Sequence, residues 1–377
     1  MKVLHLIDSG GLYGAEKMLL ALVKAQLSQG LEPMILSAGE LTIPQKPLEI
    51  EATRLGLPVI PWRMKPGFNI GESRKILKWA VANDYDILHS HGFKFNVLLG
   101  SYPKPLRRIP MIATLHGYVH ARRFTKMWCY ELLDRFAIRF LQGVVLVGES
   151  MKKELPARLS SSQKVRVIPN GLDIEAICFQ ADQLVDGPTE EFIESHSPIV
   201  LGVGRLSQEK GFLRLVEAFR LVCERFENAG LVIVGEGKQR DNLEARIIEL
   251  KLSNNVLMPG YCSNVPCLQR RSDLLVMPSL TEGLPITLLE AMAVGTPVLV
   301  SPVGEMPAVL DRGEGGYVLP QDWDFKQLGT HIVNVLSDGE RELKADRSSK
   351  KVATHYSVEA MQKSYRDVYI TALGDAP

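Results

Sequence analysis

The chain has 377 residues, 46% hydrophobic and 23% charged, which fits about two folded domains and excludes a disordered or low-complexity chain. Its five cysteines are odd in number and never spaced C-x-x-C, so a disulfide framework is excluded and a reduced, cytoplasmic setting is expected. No segment reaches ~18 uninterrupted apolar residues, and the apolar run that ends at Asp8 is too short for a signal peptide. A net charge of +1 hides a division: residues 1–172 carry 24 Lys and Arg against 13 Asp and Glu, whereas residues 173–377 carry 20 against 30. A basic first half fits an anionic partner: a membrane surface, nucleic acid, or a phosphorylated or acidic acceptor.

In chain order, the first half alternates short apolar strands with helical patterns. Strands are predicted at Val3–Ile7, Met34–Ser37, Pro58–Pro61, Ile87–Ser90, Met111–Leu115, Val144–Val147 and Val165–Ile168. Helices are predicted over 14–29, 47–55, 70–82, 93–100, 122–140 and 149–155. Such alternation implies a doubly wound parallel sheet, whose ligands bind outside the carboxyl ends of the strands. After the first strand, Gly10, Gly11 and Gly14 form a turn able to bring backbone N–H groups close to a phosphate or sugar. The spacing GG-x-x-G is not the dinucleotide fingerprint, and a plain tight turn fits equally. Glu16 follows in the first helical turn, where it suits the helix dipole.

Two later strands end in histidine, at His89 and His91 and at His116. The H-x-H pair with a third histidine raises zinc, but no acid or cysteine at matching strand ends completes such a site; a metal is not expected. His116 at a carboxyl edge suits either a cleft or a place under a loop. Asp84-Tyr85-Asp86 has the form of a metal-holding DxD but sits at the entry of its strand, the wrong end for a ligand. Asp322-Trp323-Asp324 reads as a helix cap. Between 120 and 143, Arg122, Arg123, Lys126, Arg135 and Arg139 interleave with Phe124, Trp128, Leu132, Phe136 and Phe140. This basic amphipathic stretch fits an interfacial membrane contact or a helix with an ordinary core face.

Residues 173–197 are acidic, lack periodicity and are expected to be a linker. Beyond them, strands are predicted at Ile199–Val203, Leu231–Val234, Val256–Met258, Leu274–Met277, Val298–Val300 and Gly316–Leu319. Helices are predicted over 211–226, 237–251, 285–294, 305–311 and 324–337. This is a second doubly wound domain, residues 198–356. A last amphipathic stretch, 357–373, is free to pack back on the first domain, residues 1–172.

The strand ends of this second half carry the chemistry. Gly204, Arg205 and Lys210 fall in a turn before a helix, two cations suited to a diphosphate. Val234-Gly235-Glu236-Gly237 is a tight turn suited to a flat base. From 279 to 310 the chain reads loop, helix, glycine stop, buried strand and helix, with Pro285 suited to the helix start and Gly295 to its end. Glu290 is a lone carboxylate in the apolar run ITLLEAMAV, and Glu282 lies eight residues earlier in the loop. Two acids flanking a helix N-terminus are odd at an anion site unless they bind hydroxyls of the same ligand. Phosphate plus polyol points to a sugar nucleotide.

These motifs resemble the retaining GT-B glycosyltransferases of family 4. The resemblance runs through GG-x-x-GAE, the His116-Gly117 strand end, VIPNGLD at 167–173, GRL-x-x-EKG at 204–211, VGEG, and EGLPITLLE as E-x7-E; Leu12-Tyr13 departs from the glycines or polar residues of many members. It implies two Rossmann-like domains facing across a cleft, with the nucleotide in the C-terminal one and the acceptor mainly in the N-terminal one. By that resemblance Glu290 binds ribose hydroxyls and Glu282 those of the transferred sugar. Arg205 and Lys210 neutralise the diphosphate, helped by backbone around Gly283, Leu284, Pro285 and Ile286. Gly10, Gly11, Gly14, Gly204 and Glu236 complete the donor site, and His116 lies near the reacting sugar.

The expected function is transfer of a hexose-type sugar from a nucleoside-diphosphate sugar to a hydroxyl, with retention and no essential metal or cofactor. The basic half, with Glu16, Arg122, Arg123 and Lys126, favours a lipid-linked or anionic glycan acceptor and a peripheral place on the inner membrane face. Nucleic acid is not expected, for want of a binding motif. The rival readings are a sugar-nucleotide epimerase or phosphorylase on the same fold, and a non-catalytic nucleotide-sugar-binding protein.

Overall fold

The computed structural model describes residues 1–8, 11–12, 14–65, 67, 69–116, 125–184 and 187–374. They divide into two compact units, Met1–Gly171 with Val358–Pro377, and Leu172–Ser357. The first holds strands β1 (Lys2–Ile7), β2 (Glu32–Gly39), β3 (Val59–Arg63), β4 (Ile87–Ser90), β5 (Met111–Leu115), β6 (Gly143–Leu146) and β7 (Val165–Val167). They form one parallel sheet in the order β3-β2-β1-β4-β5-β6-β7. The second holds β8 (Ile199–Val203), β9 (Gly230–Val234), β10 (Val256–Gly260), β11 (Leu274–Met277), β12 (Val298–Val300) and β13 (Tyr317–Val318), parallel in the order β10-β9-β8-β11-β12-β13. Each unit is thus a Rossmann-like doubly wound domain. The order reverses once in each sheet, between β1 and β4 and between β8 and β11, and those reversals mark where a ligand belongs.

The strands are apolar on both faces because helices cover both sides. In the second unit, one face packs Leu201, Val232, Leu275 and Val300 against the helix Ile286–Val294. The other packs Val200, Leu231, Val276 and Leu299 against the helices Phe212–Arg225 and Phe325–Leu336. The last helix, Val358–Gly374, lies on the first sheet: Val358, Met361, Tyr365, Val368, Tyr369 and Ala372 bury themselves with Val3, Ile87, Ile112 and Val145. Their three- and four-residue spacing is the stripe that such packing requires.

Three of the segments that differ from the sequence reading bear on the packing. The acidic stretch expected as a linker forms the helices Ile174–Ala181 and Gly187–Ser195. Asp173 caps the first by accepting from the Ala176 N–H at 3.0 Å, and Ile177, Ala181 and Ile193 join the second unit's core. The helix Arg341–His355 was not foreseen. Its few buried residues, Ala345, Ser348 and Val352, are small, so a charged helix packs closely without an apolar signal. The helix expected over 122–140 is described over Lys126–Ala137, followed by a 3-10 turn at Ile138–Phe140.

Candidate active site

In the second unit, β8 and β11 lie side by side at the reversal, the helices that follow them cover opposite faces, and the loops leaving the two strands meet there. After β8 the chain turns through Gly204 and Arg205 into a 3-10 turn, Gln208–Lys210, that ends at Gly211 with φ +70°. A Cβ on Gly211 would lie 2.1 Å from the Pro278 carbonyl oxygen, so only glycine lets this turn press against the end of β11. A second such contact joins Gly304, φ +60°, to the loop at Glu282 and Gly283, whose carbonyl oxygens a Cβ would approach to 2.3 and 2.5 Å. Backbone hydrogen bonds complete the lattice: Leu280 N to Glu209 O, 2.8 Å; Leu206 N to Glu236 O, 2.9 Å; Glu305 N to Gly283 O, 3.0 Å. Loops held in this way place side chains with little conformational freedom left to lose on binding.

Lys210 Nζ donates to Glu282 Oε1, and Ser279 Oγ donates to the same oxygen at 3.0 Å. Both charged side chains are mostly buried, 22% and 13% exposed. Arg205 is exposed, and its guanidinium has no hydrogen bond or ion pair among the described residues. The helix Ile286–Val294 opens beside Glu282, with Pro285 as a cap that supplies no side-chain hydrogen bond, and closes on Gly295 at φ +79°. Its first N–H groups are therefore open to an anion. Glu290 is half-buried with no partner among the described residues, and burial raises its pKa above the ordinary carboxylate value. A paired lysine, a free arginine and open amides beside two carboxylates form a site for an anion that carries hydroxyls.

The first unit is built differently at its reversal. His5 pairs in register with His89 across β1 and β4. A buried chain of hydrogen bonds runs Tyr369 to Gln26 at 3.0 Å, Gln26 to His5 at 2.8 Å, and His5 to His91 at 3.0 Å. A branch joins His89 to Tyr369 and Thr114, both at 2.8 Å, and Thr114 to Tyr365 at 2.9 Å. One nitrogen from each of His5, His89 and His91 lies within 4.8 Å of the other two, close enough to hold a metal ion; the three rings have six nitrogens in all. Gln26, Tyr369, Thr114 and the rings themselves take up five of those six nitrogens, leaving His91 Nδ1. Burial pushes His5 and His116 down to about 4 and His89 and His91 well below the usual histidine value. His116 stacks on His91 with ring centroids 6.0 Å apart, and its Nε2 is buried without a partner. Glu16, buried in the first turn of the helix Gly14–Ser28, is a neighbouring charge that favours protonated His116.

The structure therefore gathers Arg205, Lys210, Glu282, Gly204, Gly283, Leu284, Pro285 and Ile286 about the β8–β11 reversal, with Glu290 one helical turn further in. Glu236, at the end of β9, adjoins the same turn: its carbonyl accepts from the Leu206 N–H at 2.9 Å, and its exposed carboxylate pairs with Arg240 at 3.2 Å. Gly11 stands between β1 and its helix, and Gly14 is that helix's first residue. Gly10, Arg122 and Arg123 lie outside the described residues, as does the side chain of Lys126. Asp86 accepts from the Lys2 N–H at 2.8 Å at the entry edge of the first sheet, and Asp324 caps the helix Phe325–Leu336. Sequence reasoning missed Asp8, Lys46 and Lys94, which converge at the carboxyl edge of the first sheet. Asp8 was legible as a strand end; the loop lysine Lys46 carries no local signal.

Residues 13–176 match the model of Glycosyltransferase Family 4, and residues 188–352 match that of glycosyl transferases group 1. An uncharacterized glycosyltransferase of Methanocaldococcus jannaschii is 29% identical over 326 residues, 83% of this chain and 82% of that protein. The UDP-Gal:alpha-D-GlcNAc-diphosphoundecaprenol alpha-1,3-galactosyltransferase of Escherichia coli is 26% identical over 296 residues, 76% of this chain and 75% of its own. The crystal structure of Anabaena HepE in complex with UDP superposes with a TM-score of 0.75 over 98% of this chain and 100% of that one, at 19% identity. With two parallel-sheet domains, a family model on each and these relatives, the chain belongs to the group 1 glycosyltransferases of GT-B fold, which use nucleotide sugars.

Proposed function

We propose that the chain is a retaining, metal-independent hexosyltransferase, and the observation that carries this is the meeting of Arg205, Lys210 and the open helix at Ile286 where the loops leaving β8 and β11 come together. A nucleoside diphosphate seated there gives up its sugar with a negative charge growing on the diphosphate. Arg205 and Lys210 stabilise that charge, together with the helix amides, the task a bound metal performs in other transferases. The arriving diphosphate draws Lys210 away from Glu282, which frees the carboxylate for the sugar hydroxyls. Glu290, desolvated and without a partner, gains the ribose hydroxyls. Among the described residues no carboxylate is placed as an obvious covalent nucleophile, so the acceptor hydroxyl attacks from the face the diphosphate leaves, its proton passes to the departing diphosphate oxygen, and the configuration is kept.

The test is a thermal-shift panel of UDP-, GDP- and ADP-sugars followed by NMR of the product anomer. A ligand at 100 times its Kd adds ~2.7 kcal/mol of stability; no shift with any donor, or an inverted anomer, removes the proposal. Incubating the donor without acceptor separates the rivals, because an epimerase converts it and a transferase does not. Chelator added to the assay should leave the rate unchanged.

The acceptor we propose is lipid-linked or anionic, presented at a membrane in glycan or glycolipid synthesis; the E. coli relative is named for a diphosphoundecaprenol-linked acceptor. Support comes from the helix Lys126–Ala137, which is inverted: Glu131 and Asp134 are buried, while Leu132 and Phe136 are 53% and 54% exposed. Asp134 accepts from Asn96 Nδ2 at 2.8 Å, so the polar face is held inward and the apolar face left to solvent. Leu106, Phe140 and Ile70 are also exposed, along with the basic Arg139. Apolar residues rimmed by cations suit an anionic bilayer surface, and no described helix is long and apolar enough to cross a membrane. Flotation with anionic vesicles should carry the protein and neutral vesicles should not; equal failure with both removes the membrane contact.

A further inference from the structure

Beneath the reversal of the first sheet, the chain of hydrogen bonds from Tyr369 to His91 does more than fill space, because each bond fixes which atom carries a proton. Gln26 donates its amide N–H to the Tyr369 oxygen at 3.0 Å and turns its carbonyl oxygen to His5 Nε2 at 2.8 Å. A carbonyl only accepts, so the His5 proton is on Nε2. A neutral imidazole has one N–H, which leaves His5 Nδ1 to accept from His91 Nε2 at 3.0 Å. The His91 proton is therefore on Nε2 as well, and its Nδ1 is a bare lone pair. On the branch, the Tyr369 hydroxyl donates to His89 Nδ1, and His89 Nε2 donates to Thr114 Oγ1, both at 2.8 Å. Having donated to His89, Tyr369 has only lone pairs to offer Gln26, which keeps the amide N–H turned toward it.

Burial holds His5 at about 4 and His91 well below the usual histidine value, so each ring carries a single proton at neutral pH. The His91 ring is firmly placed. Its backbone N–H donates to the Leu6 carbonyl at 2.9 Å, just past Ser90, the last paired residue of β4. Its ring centroid lies 4.0 Å from that of His89 and 6.0 Å from that of His116. The residue is 5% exposed, and Nδ1 has no hydrogen-bond partner among the described residues. A buried polar atom left unpaired is costly, so an acceptor held at a ligand-binding strand end calls for a donor from outside. A neutral lone pair suits an alcohol O–H rather than an ionised carboxylate, whose oxygens have no proton to give.

We propose that Gln26 and Tyr369 are positioning residues which, through His5, hold His91 in its Nε2–H form, so that Nδ1 accepts a hydrogen bond from a carbohydrate hydroxyl. The hydroxyl belongs to the transferred sugar or to the glycan that receives it, since both carry alcohol groups. The Gln26 amide sets the polarity: turned over, it would reverse each bond as far as His91 and present an N–H in place of the lone pair. Tyr369 lies in the last helix, Val358–Gly374, so a residue far along the chain governs what a strand-end histidine can recognise. This rests on the transferase reading given above and adds a proton placement that it leaves open.

The test is nitrogen-15 NMR of the histidine rings in the full chain at neutral pH, with the His91 signals assigned by their loss in His91→Asn. Without ligand, long-range couplings should place the His5 and His91 protons on Nε2 and show His91 Nδ1 bare. Gln26→Met and Tyr369→Phe should each move a measurable share of the His91 proton to Nδ1; a merely structural role would lower the melting temperature and leave the tautomer unchanged. Methyl α-glucoside is then added in one arm, UDP-glucose and UDP-galactose in two others, and UDP alone in a fourth. The His91 Nδ1 resonance should move upfield with at least one sugar and stay in place with UDP. A shift with the glucoside assigns the hydroxyl to the acceptor, and a shift only with a UDP-sugar assigns it to the transferred sugar. Gln26→Met should weaken the responding ligand about tenfold, the size of one hydrogen bond. A proton on His91 Nδ1 in the wild type, no shift with any sugar, or an equal shift with UDP alone overturns the proposal. Failure of UDP and both UDP-sugars to bind would overturn the donor reading instead, and the tautomer measured without ligand still decides the relay.

Discussion

The two sheet reversals solve opposite problems with the same topology. At β8–β11 the strand ends offer backbone amides and partly exposed side chains, and the loops are pinned by glycine contacts such as Gly211 on Pro278. At β1–β4 the strand ends are filled by histidines and tyrosines bonded to one another, beside the buried Lys46 and the half-buried Asp8 and Lys94. The first arrangement suits a highly charged group that must arrive, react and leave: rigid donors, with one cation, Lys210, held in reserve by Glu282. The second suits recognition by side chains whose positions are set from below. A doubly wound fold thus fixes where a ligand goes, and the local chemistry decides what it is.

The largest expected effect that tests this contrast is at Arg205. Arg205→Ala should cost ~2.7–4 kcal/mol of transition-state stabilisation, about 100-fold or more in turnover, with unchanged folding by circular dichroism. Turnover near wild type would show that the free cation is not part of the donor site. Next is the glycine lattice. Gly211→Ala must adopt a left-handed conformation, worth ~1–3 kcal/mol, and also drive its Cβ into the Pro278 carbonyl. Gly295→Ala has a similar φ but nothing within 4 Å, so it should lose only ~1–2 kcal/mol. Equal losses in urea melts would mean that the loop contact carries no weight.

Proton linkage separates the two regions further. Burial lowers His5 and His116 to about 4, so the unfolded chain binds protons that the folded one refuses. Their stability is therefore full above an unfolded value of ~6.5 and lost as pH falls through that value toward about 4, which should appear as a falling melting temperature of the first unit. Glu290 has the reverse sign, because its folded pKa is raised. Its stabilisation is present below the unfolded pKa and lost as pH rises through the folded one. The smallest effect expected is therefore a slight gain in neutral-pH stability for Glu290→Gln, together with weaker donor binding. Unaltered donor affinity in that variant would remove Glu290 from the site.

Most of the architecture was legible because it rests on local pattern. Apolar runs such as Ile199–Val203 and Leu274–Met277 could only be buried parallel strands, and the spacing 358, 361, 365, 368, 372 could only be a helix with one covered face. Arg205, Lys210, Glu282 and Glu290 could be singled out because a strand end, a glycine turn and a helix start lie close together around each pair in the sequence. The helix Arg341–His355 escaped since small residues pack without an apolar stripe, and the acidic helices after Leu172 escaped since their partner surface is remote in the chain. Asp8, Lys46 and Lys94 are separated by 38 and 48 residues and become one cluster only when β1, β2 and β4 lie side by side. Likewise Leu132 and Phe136 reveal an outward apolar face only once Asn96 holds Asp134 inward. The sequence by itself determined strand, helix and glycine turn, since each depends on neighbours a few residues away. Tertiary structure alone decided which distant charges share a desolvated space, since burial is a property of the whole packed sheet.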